Sequence, residues 1–183
     1  MGRYIVYESE LQRAAGPHRF DMRWHRDADL PAIAGHFVGM EYIVSRLEMG
    51  ARVAVAEMNG TIAGWRFYMP SPCPQGPCFM FHAPQDAIFG FAAFIMPEFR
   101  GKRAFSAITT WAAAEFLNQG YGRLFSTTNM SNRASRKAHT HAGEKAVMEI
   151  RSARILGLRF VQIDGKTNWG YWNRRRRFDV YLT

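Results

Sequence analysis

The sequence predicts a mixed α/β fold, a twisted central sheet flanked by helices, from three observations. Segments with helical spacing of apolar residues alternate with short runs typical of strands. Asn59-Gly60 separates the strand-like residues 52–58 and 61–68, and this dipeptide favours a tight hairpin turn. The continuous apolar run 87–96 precedes a helical segment and a strand at 124–128, so these two strands should be parallel, as in a βαβ unit.

The first part of the chain is predicted from its breakers and caps. Residues 1–19 show no period and contain Gly16-Pro17, so we expect an arm with at most one short strand. A strand at 20–25 and two helices follow, one starting near Pro31 and one at 41–48. Asp27 and Asp29 are candidate N-caps of the first helix, and the proline-rich residues 70–86 are predicted as a connection.

The second part of the chain contains the long helix and the last strands. Residues 103–119 place Phe105, Ile108, Ala112 and Phe116 on one stripe, and Gly120 is a natural C-cap. A more polar helix is predicted at 132–142, and strands at 147–155, 159–163 and 178–182.

The composition favours a folded protein and gives no sign of a membrane-spanning or secreted one. The 183 residues are 48% hydrophobic and 21% charged, enough for a folded core. We find no apolar run long enough to span a membrane and no apolar centre of a secretion signal, so we expect a cytoplasmic protein. Cys73 and Cys78 are predicted to be free thiols, and no metal site is expected because further ligands at suitable spacing are missing.

The net charge of +9 predicts an anionic partner. Nucleic acid, coenzyme A, an acidic carrier protein and a phosphorylated substrate all remain open on charge alone. Trp169, Tyr171 and Trp172 precede arginines 174–177 and are compatible with stacking on single-stranded nucleic acid. We favour a hairpin with packed aromatic side chains and a charged rim.

A basic loop follows the central strand and leads directly into the long helix. Pro97 ends the strand, and Arg100-Gly101-Lys102-Arg103 comes just before the first helical turn. The first amides of a helix have no internal acceptor and carry partial positive charge, which suits a phosphate group. The alternative is a solvated basic turn before an ordinary core helix.

The order of elements and this loop together resemble the GNAT superfamily of N-acetyltransferases. Residues 95–102, Ile-Met-Pro-Glu-Phe-Arg-Gly-Lys, match the family's strand end and its Arg-Gly-Lys-Gly-x-Gly loop. Downstream, Asn132 is followed at the family's spacings by His139, where many relatives have Tyr, and by Gly143. The resemblance covers roughly residues 50–160 and includes the hairpin glycines Gly60 and Gly64. Arg103 and Phe105 replace two glycines of the family's loop.

The resemblance implies a single domain over 1–183, with a cofactor-binding core at 87–143, the N-terminal arm at 1–19 and C-terminal strands at 164–183. It implies acetyl-CoA or another acyl-CoA as the acyl donor. The main chain of Phe94 and Ile95 would pair with the pantetheine arm, and Asn132 would contact that arm or cap the following helix. The residues implied to hold the diphosphate are Arg100, Gly101, Lys102, Arg103, Ala104 and Phe105.

The implied reaction is direct attack of an amine on the thioester, with one group removing a proton and another protonating the thiolate. His139 occupies the position of the proton donor, and its alternative is a surface histidine on a basic helix. Glu57 is a candidate base or else a solvent-facing hairpin residue. His82 and Asp86 are further candidates for lining an acceptor pocket.

The expected acceptor is an unidentified small-molecule or peptide amine. The oligomeric state is left open, with a homodimer as one possibility. Two alternatives stay beside this hypothesis. One is an acyltransferase that takes its donor from an acyl carrier protein. The other is an inactive basic module that binds nucleic acid or another polyanion, with nucleic acid the less favoured partner.

Overall fold

The computed structural model describes residues 2–12, 19–36, 39–75, 79–155, 158–164, 166–171 and 177–183, and for 154–155, 158–159 and 166–171 it describes the main chain alone. The α-helices in this part of the chain are α1 Leu30–His36, α2 Met40–Glu48, α3 Ala104–Leu117 and α4 Arg133–His141. Its twelve strands are β1 Gly2–Glu10, β2 Asp21–Trp24, β3 Arg52–Met58, β4 Thr61–Met69, β5 Cys73–Gln75, β6 Phe79–His82, β7 Ala87–Ile95, β8 Arg123–Asn129, β9 Lys145–Ile155, β10 Leu158–Ile163, β11 Lys166–Tyr171 and β12 Phe178–Tyr181.

Nine of these strands form one mixed sheet in the order β11-β10-β9-β1-β8-β7-β4-β3-β2. Neighbouring strands are antiparallel except β7 and β8, which are parallel and are connected by α3. The sheet and its helices confirm the predicted mixed α/β fold, including the βαβ unit. Asn59 and Gly60 have φ angles of 53° and 75°, as the tight hairpin turn between β3 and β4 requires.

The N-terminus differs from the prediction. Where the sequence predicted an arm with at most one short strand, β1 runs for nine residues between β8 and β9 in the middle of the sheet. Its apolar residues do not alternate cleanly, because Val6 and Tyr7 are both buried and the register with β9 shifts between them. The period-2 signal of a strand is therefore lost at this point.

The proline-rich connection also contains regular structure. β5 and β6 are antiparallel, and β12 pairs with β6 in parallel to complete a three-stranded sheet. These strands are too short to give a period in the sequence, and β12 comes from the far end of the chain. Cys73 on β5 is a buried free thiol, as predicted, and burial raises its pKa to about 12. Cys78 lies outside the described residues.

Apolar side chains cover both faces of the large sheet around β3, β4, β7 and β8. On one face, Ile33 of α1 and Ile43 of α2 pack with Trp65 and Phe67 of β4. On the other face, α3 packs through its alanines, Ile108 and Phe116 against Tyr68 and other alternate residues of β3 and β4. The parallel strands are thus covered on both sides, which explains why β7 is a continuous apolar run. No described helix has the length and apolar character needed to cross a membrane.

Candidate active site

The two parallel strands separate before they end. β7 and β8 pair from Ala87↔Arg123 to Gly90↔Ser126, and no pairing between them continues beyond that point, although both strands are fully described. β7 instead remains paired with β4 up to Ile95. The register of this pairing shifts beside Ala92, whose φ is 46°. The result is an opening at the carboxyl ends of two parallel strands, where ligands of open α/β sheets bind.

The predicted donor strand forms one side of this opening. Phe94 and Ile95 pair with Trp65 and Gly64 of β4 on one edge, and their other edge has parted from β8. A Cβ atom on Gly64 would lie 2.6 Å from the Phe94 carbonyl oxygen, so glycine is required for the close approach of the strands. An extended ligand that carries amides can pair with such a strand edge.

The basic loop keeps the backbone conformation of a glycine-rich loop. Gly101 has φ 76°, and Arg103 has φ 63° and ψ 22°, the left-handed conformation that glycine adopts most readily. α3 then begins at Ala104, without a side-chain cap on its first turn. In the described part of the chain, the amides of Gly101, Arg103 and Ala104 have no main-chain acceptor. The loop therefore presents unpaired N–H groups beside the end of β7.

Residues 100–103 of this loop are exposed. Arg100 turns back onto β7, where its Nε donates to the Ile95 carbonyl at 3.1 Å and its guanidinium lies 5.7 Å from the Phe94 ring centre. The Lys102 ammonium lies 5.2 Å from the Phe99 ring centre. In this structure the Ile95 carbonyl thus holds the side chain of Arg100, and its contact with an anion stays a prediction.

His139 of α4 lies at the point where the strands part, and the alternative of a surface histidine is wrong. The residue is 4% exposed, and its Nδ1 lies 3.3 Å from Oγ of Ser126, the last β8 residue that pairs with β7. The ring stacks on Tyr7 of β1 at 4.7 Å and meets the edge of Phe105 at 5.2 Å. The sequence could not reveal this burial, because Tyr7 comes from the strand it failed to predict.

Glu144 is the centre of a buried polar cluster, defined as Arg66, Thr109, Ser126, His139 and Glu144. Its Oε1 accepts from Arg66 Nη1 at 2.9 Å, while its Oε2 lies 2.9 Å from His139 Nδ1 and accepts from Ser126 Oγ. Arg66 Nη1 also donates to Thr109 Oγ1 at 2.7 Å. Burial alone would raise the pKa of Glu144, but the Arg66 charge and the His139 hydrogen bond outweigh it and hold that pKa at about 2.

Phe105 and Gly90 complete the surroundings of this cluster. The Phe105 ring lies 4.8 Å from the Arg66 guanidinium carbon as well as against His139. The side chain that replaces a family glycine is thus directed inward, towards the cluster. A Cβ atom on Gly90 would lie 2.7 Å from Arg66 Nη2, so Gly90 makes room for the buried guanidinium.

Arg66, Ser126 and Glu144 were missed by sequence reasoning. A lone arginine inside the apolar strand Thr61–Met69 is the one signal that could have found them, since a buried charge requires a partner. The partner itself could not be named, because Glu144 is 78 residues further along the chain.

Glu57 is not brought to this site. It lies on β3, which β7 and β4 separate from β8 in the sheet, and it pairs with Arg23, which also holds Asp29 at 2.6 Å. Hydrogen bonds from Arg23 lower the pKa of Glu57, so its carboxylate is a weaker proton acceptor than a free one. The prediction of Glu57 as a base is corrected for this reason: it is part of an ion-pair cluster of β2 and β3.

Three other candidates have structural partners. Asn132 caps α4, with its Oδ1 accepting from the Ser135 amide at 3.0 Å, as one of its two interpretations predicted. His82 pairs with Asp179 at 2.7 Å, and Asp86 pairs with Arg123 at 3.1 Å.

The side chains of Trp169, Tyr171 and Trp172 lie outside the described residues. Within those that are described, no group of three or more His, Cys, Asp or Glu could hold a metal ion.

A cavity of about 750 Å³ lies elsewhere, between α3 and the sheet at the Arg123 end of β8. Its walls include Glu8, Glu10 and Lys145, and it reaches the buried cluster through Thr109. It does not include the loop or the end of β7. We assign the site to the strand opening because the amides, the strand edge and His139 meet there.

Comparison with known proteins identifies the fold. No family model and no curated protein matches the sequence. A GNAT-family acetyltransferase from Colwellia psychrerythraea superposes with a TM-score of 0.60 at 16% identity, over 89% of this chain and 56% of that one. A protein of Novosphingobium aromaticivorans described as a GNAT acetyltransferase gives 0.60 at 11%, over 81% and 61%.

A third match is a smaller protein with a bound ligand. AAC(6')-Iy, in complex with the bisubstrate analogue CoA-S-monomethyl-acetylneamine, gives a TM-score of 0.54 at 17% identity, over 75% of this chain and 95% of that one. The chain therefore has the GNAT fold, which confirms the resemblance at the level of fold. It spans less than two thirds of the length of the first two proteins.

Proposed function

We propose that this chain is an N-acyltransferase that moves an acetyl or other acyl group from coenzyme A to an amine. The proposal depends most on one observation: the strand edge of Phe94 and Ile95, the unpaired amides of Gly101, Arg103 and Ala104, and the buried His139 converge on one opening. A structure of the same fold holds a ligand that joins coenzyme A to an acetylated amine, which supports acyl-CoA as the donor.

In this proposal the donor lies along β7. The pantetheine amides pair with the main chain of Phe94 and Ile95, which requires Arg100 Nε to release the Ile95 carbonyl. The diphosphate rests on the amides of residues 101–105, with the side chains of Lys102 and Arg103 around it. Arg103 provides charge without closing the site, because its left-handed backbone directs the amides as glycine would.

The chemical step is direct acyl transfer within this opening. A neutral amine attacks the thioester carbonyl, the carbon–sulfur bond breaks, and the amine nitrogen loses one proton while the thiolate gains one. His139 donates the proton to the leaving sulfur, as its position in the resembled motif implies. The amine acceptor is a small molecule or a peptide.

Calorimetric titration with acetyl-CoA tests the proposal. The variant Lys102→Ala/Arg103→Gly removes two charges and keeps a backbone that accepts positive φ, so affinity should fall roughly tenfold with the fold intact. Lys145→Ala is the matched control, since it removes one exposed charge near the Arg123 end of β8 and should leave affinity unchanged. Thiol release with a panel of neamine, an amino acid and a peptide then identifies an acceptor.

Two outcomes would replace this function with its alternatives. Binding of a single-stranded oligonucleotide but not of acetyl-CoA, at matched ionic strength, would indicate a polyanion-binding module. Binding of an acylated carrier protein but not of acetyl-CoA would indicate a carrier-dependent acyltransferase.

A further inference from the structure

The buried cluster fixes which nitrogen of His139 carries the proton. A carboxylate whose pKa is about 2 has no proton to give at neutral pH, so Glu144 can only accept hydrogen bonds. Ser126 uses its single hydroxyl proton on Glu144 Oε2 and has none left for the His139 ring. The 2.9 Å contact between His139 Nδ1 and Glu144 Oε2 therefore requires a proton on Nδ1.

The other ring nitrogen is then the one available to the reaction. With the proton of the neutral ring on Nδ1, Nε2 has a free lone pair. The structure gives Nε2 no hydrogen-bond partner among the described residues, whereas Nδ1 faces Glu144 and Ser126. Tyr7 and Phe105 pack against the ring and fix its plane.

We infer that Glu144 is a positioning residue that makes His139 both the base and the acid of acyl transfer. This inference rests on the proposed function and assigns the base that Glu57 does not supply. Nε2 takes the proton from the amine nitrogen as the carbon–nitrogen bond forms, directly or through one water. The imidazolium is stabilised by the Glu144 carboxylate and returns that proton to the sulfur as the carbon–sulfur bond breaks. Amine and thioester give amide and thiol, and no other reactant is needed.

The charged groups around the ring agree with this cycle. Glu144 is the one carboxylate in contact with the ring in the described part of the chain, and Arg66 lies behind it, paired with its other oxygen. Tyr7 stays neutral on the ring face, because burial raises its pKa. Arg136, on the same helix as His139, donates to the Met130 carbonyl. Its positive charge partly offsets the rise in the pKa of Tyr7.

The ¹⁵N NMR spectrum of the full-length protein labelled in histidine tests the inference without any ligand. Above pH 8, we expect the His139 resonances, assigned with His139→Phe, to show a protonated Nδ1 and an unprotonated Nε2. A proton on Nε2 would overturn the inference, and because no acyl-CoA is present this result says nothing against the proposed function.

Two variants separate positioning from packing. Glu144→Asp keeps the charge beside Arg66 but withdraws the carboxylate by about 1.5 Å, so the preference for Nδ1–H should weaken. Ser126→Ala removes a different donor to the same carboxylate and should leave the tautomer unchanged. Equal shifts in both variants would mean that the cluster acts only through packing, and would contradict the inference.

Kinetics give a second readout. Glu144→Asp should lower kcat roughly 100-fold, with the KM for acetyl-CoA within about twofold, using the fastest amine of the panel. The shape of the pH–rate profile should also change. An active Glu144→Asp variant with the wild-type profile would overturn the inference and leave acyl transfer standing. A wild-type protein without transfer would instead overturn the proposed function.

Discussion

Glu144 combines burial, charge and hydrogen bonding in one side chain. It is 3% exposed and is held by Arg66, Ser126 and His139. A buried pair such as Arg66 and Glu144 contributes little net stability but costs about 3–5 kcal/mol when one partner is removed. The family resemblance implied His139 as a site residue, whereas Glu144 was absent from the predicted site, since its contacts join β4, β8 and α4.

The depressed pKa of Glu144 predicts a loss of stability in acid. Its folded-state pKa of about 2 lies below the ordinary value of 4.5, so its contribution is complete above pH 4.5 and is lost as the pH falls towards 2. That contribution is on the order of 3 kcal/mol. Urea unfolding between pH 5 and 2 should therefore give a shallower loss of stability for Glu144→Gln than for the wild type.

Glu149→Gln is a matched control for this prediction. Glu149 also has a pKa lowered to about 2, by hydrogen bonds from Arg151 and Arg3, but its side chain is 32% exposed. Salt at about 1 M should screen the Glu149 contribution and leave that of Glu144. Equal salt sensitivity of the two contributions would contradict a buried Glu144 pair.

At the scale of elements, the hairpin of β3 and β4 positions the donor strand. Gly64 of β4 lets Ile95 approach, and Gly60 forms the turn. The turn was predictable because Asn-Gly has a local conformational preference. The opening between β7 and β8 was not, because it depends on a bulge at Ala92, a residue with no local preference for positive φ.

Gly64→Ala and Gly60→Ala separate the two roles of this hairpin. A Cβ atom on residue 64 would push on the Phe94 carbonyl and Ile95, so acetyl-CoA affinity should fall roughly tenfold, the loss of one or two main-chain hydrogen bonds. Residue 60 has open space but a φ of 75°, so alanine there should cost about 1 kcal/mol of stability and leave affinity unchanged. Calorimetry measures the affinity of each variant for acetyl-CoA, and thermal unfolding measures its stability. If Gly64→Ala bound acetyl-CoA as tightly as Gly60→Ala, the strand edge would not contact the donor.

At the scale of the whole molecule, the sequence predicted the architecture better than the connections within it. The long helix, the parallel strand pair and the hairpin were predicted because each has a local pattern. The central position of β1 and the pairing of β12 with β6 were not, because both join distant parts of the chain. The cytoplasmic location, the single-domain organisation and a homodimer stay predictions.

The crystal structure of the complex with acetyl-CoA tests the central claim most directly. The account predicts the diphosphate on the amides of residues 101–105, the pantetheine along Phe94 and Ile95, and the sulfur within hydrogen-bond reach of His139 Nε2. A donor bound elsewhere, such as in the cavity beside Lys145, with the loop amides left bare, would contradict it.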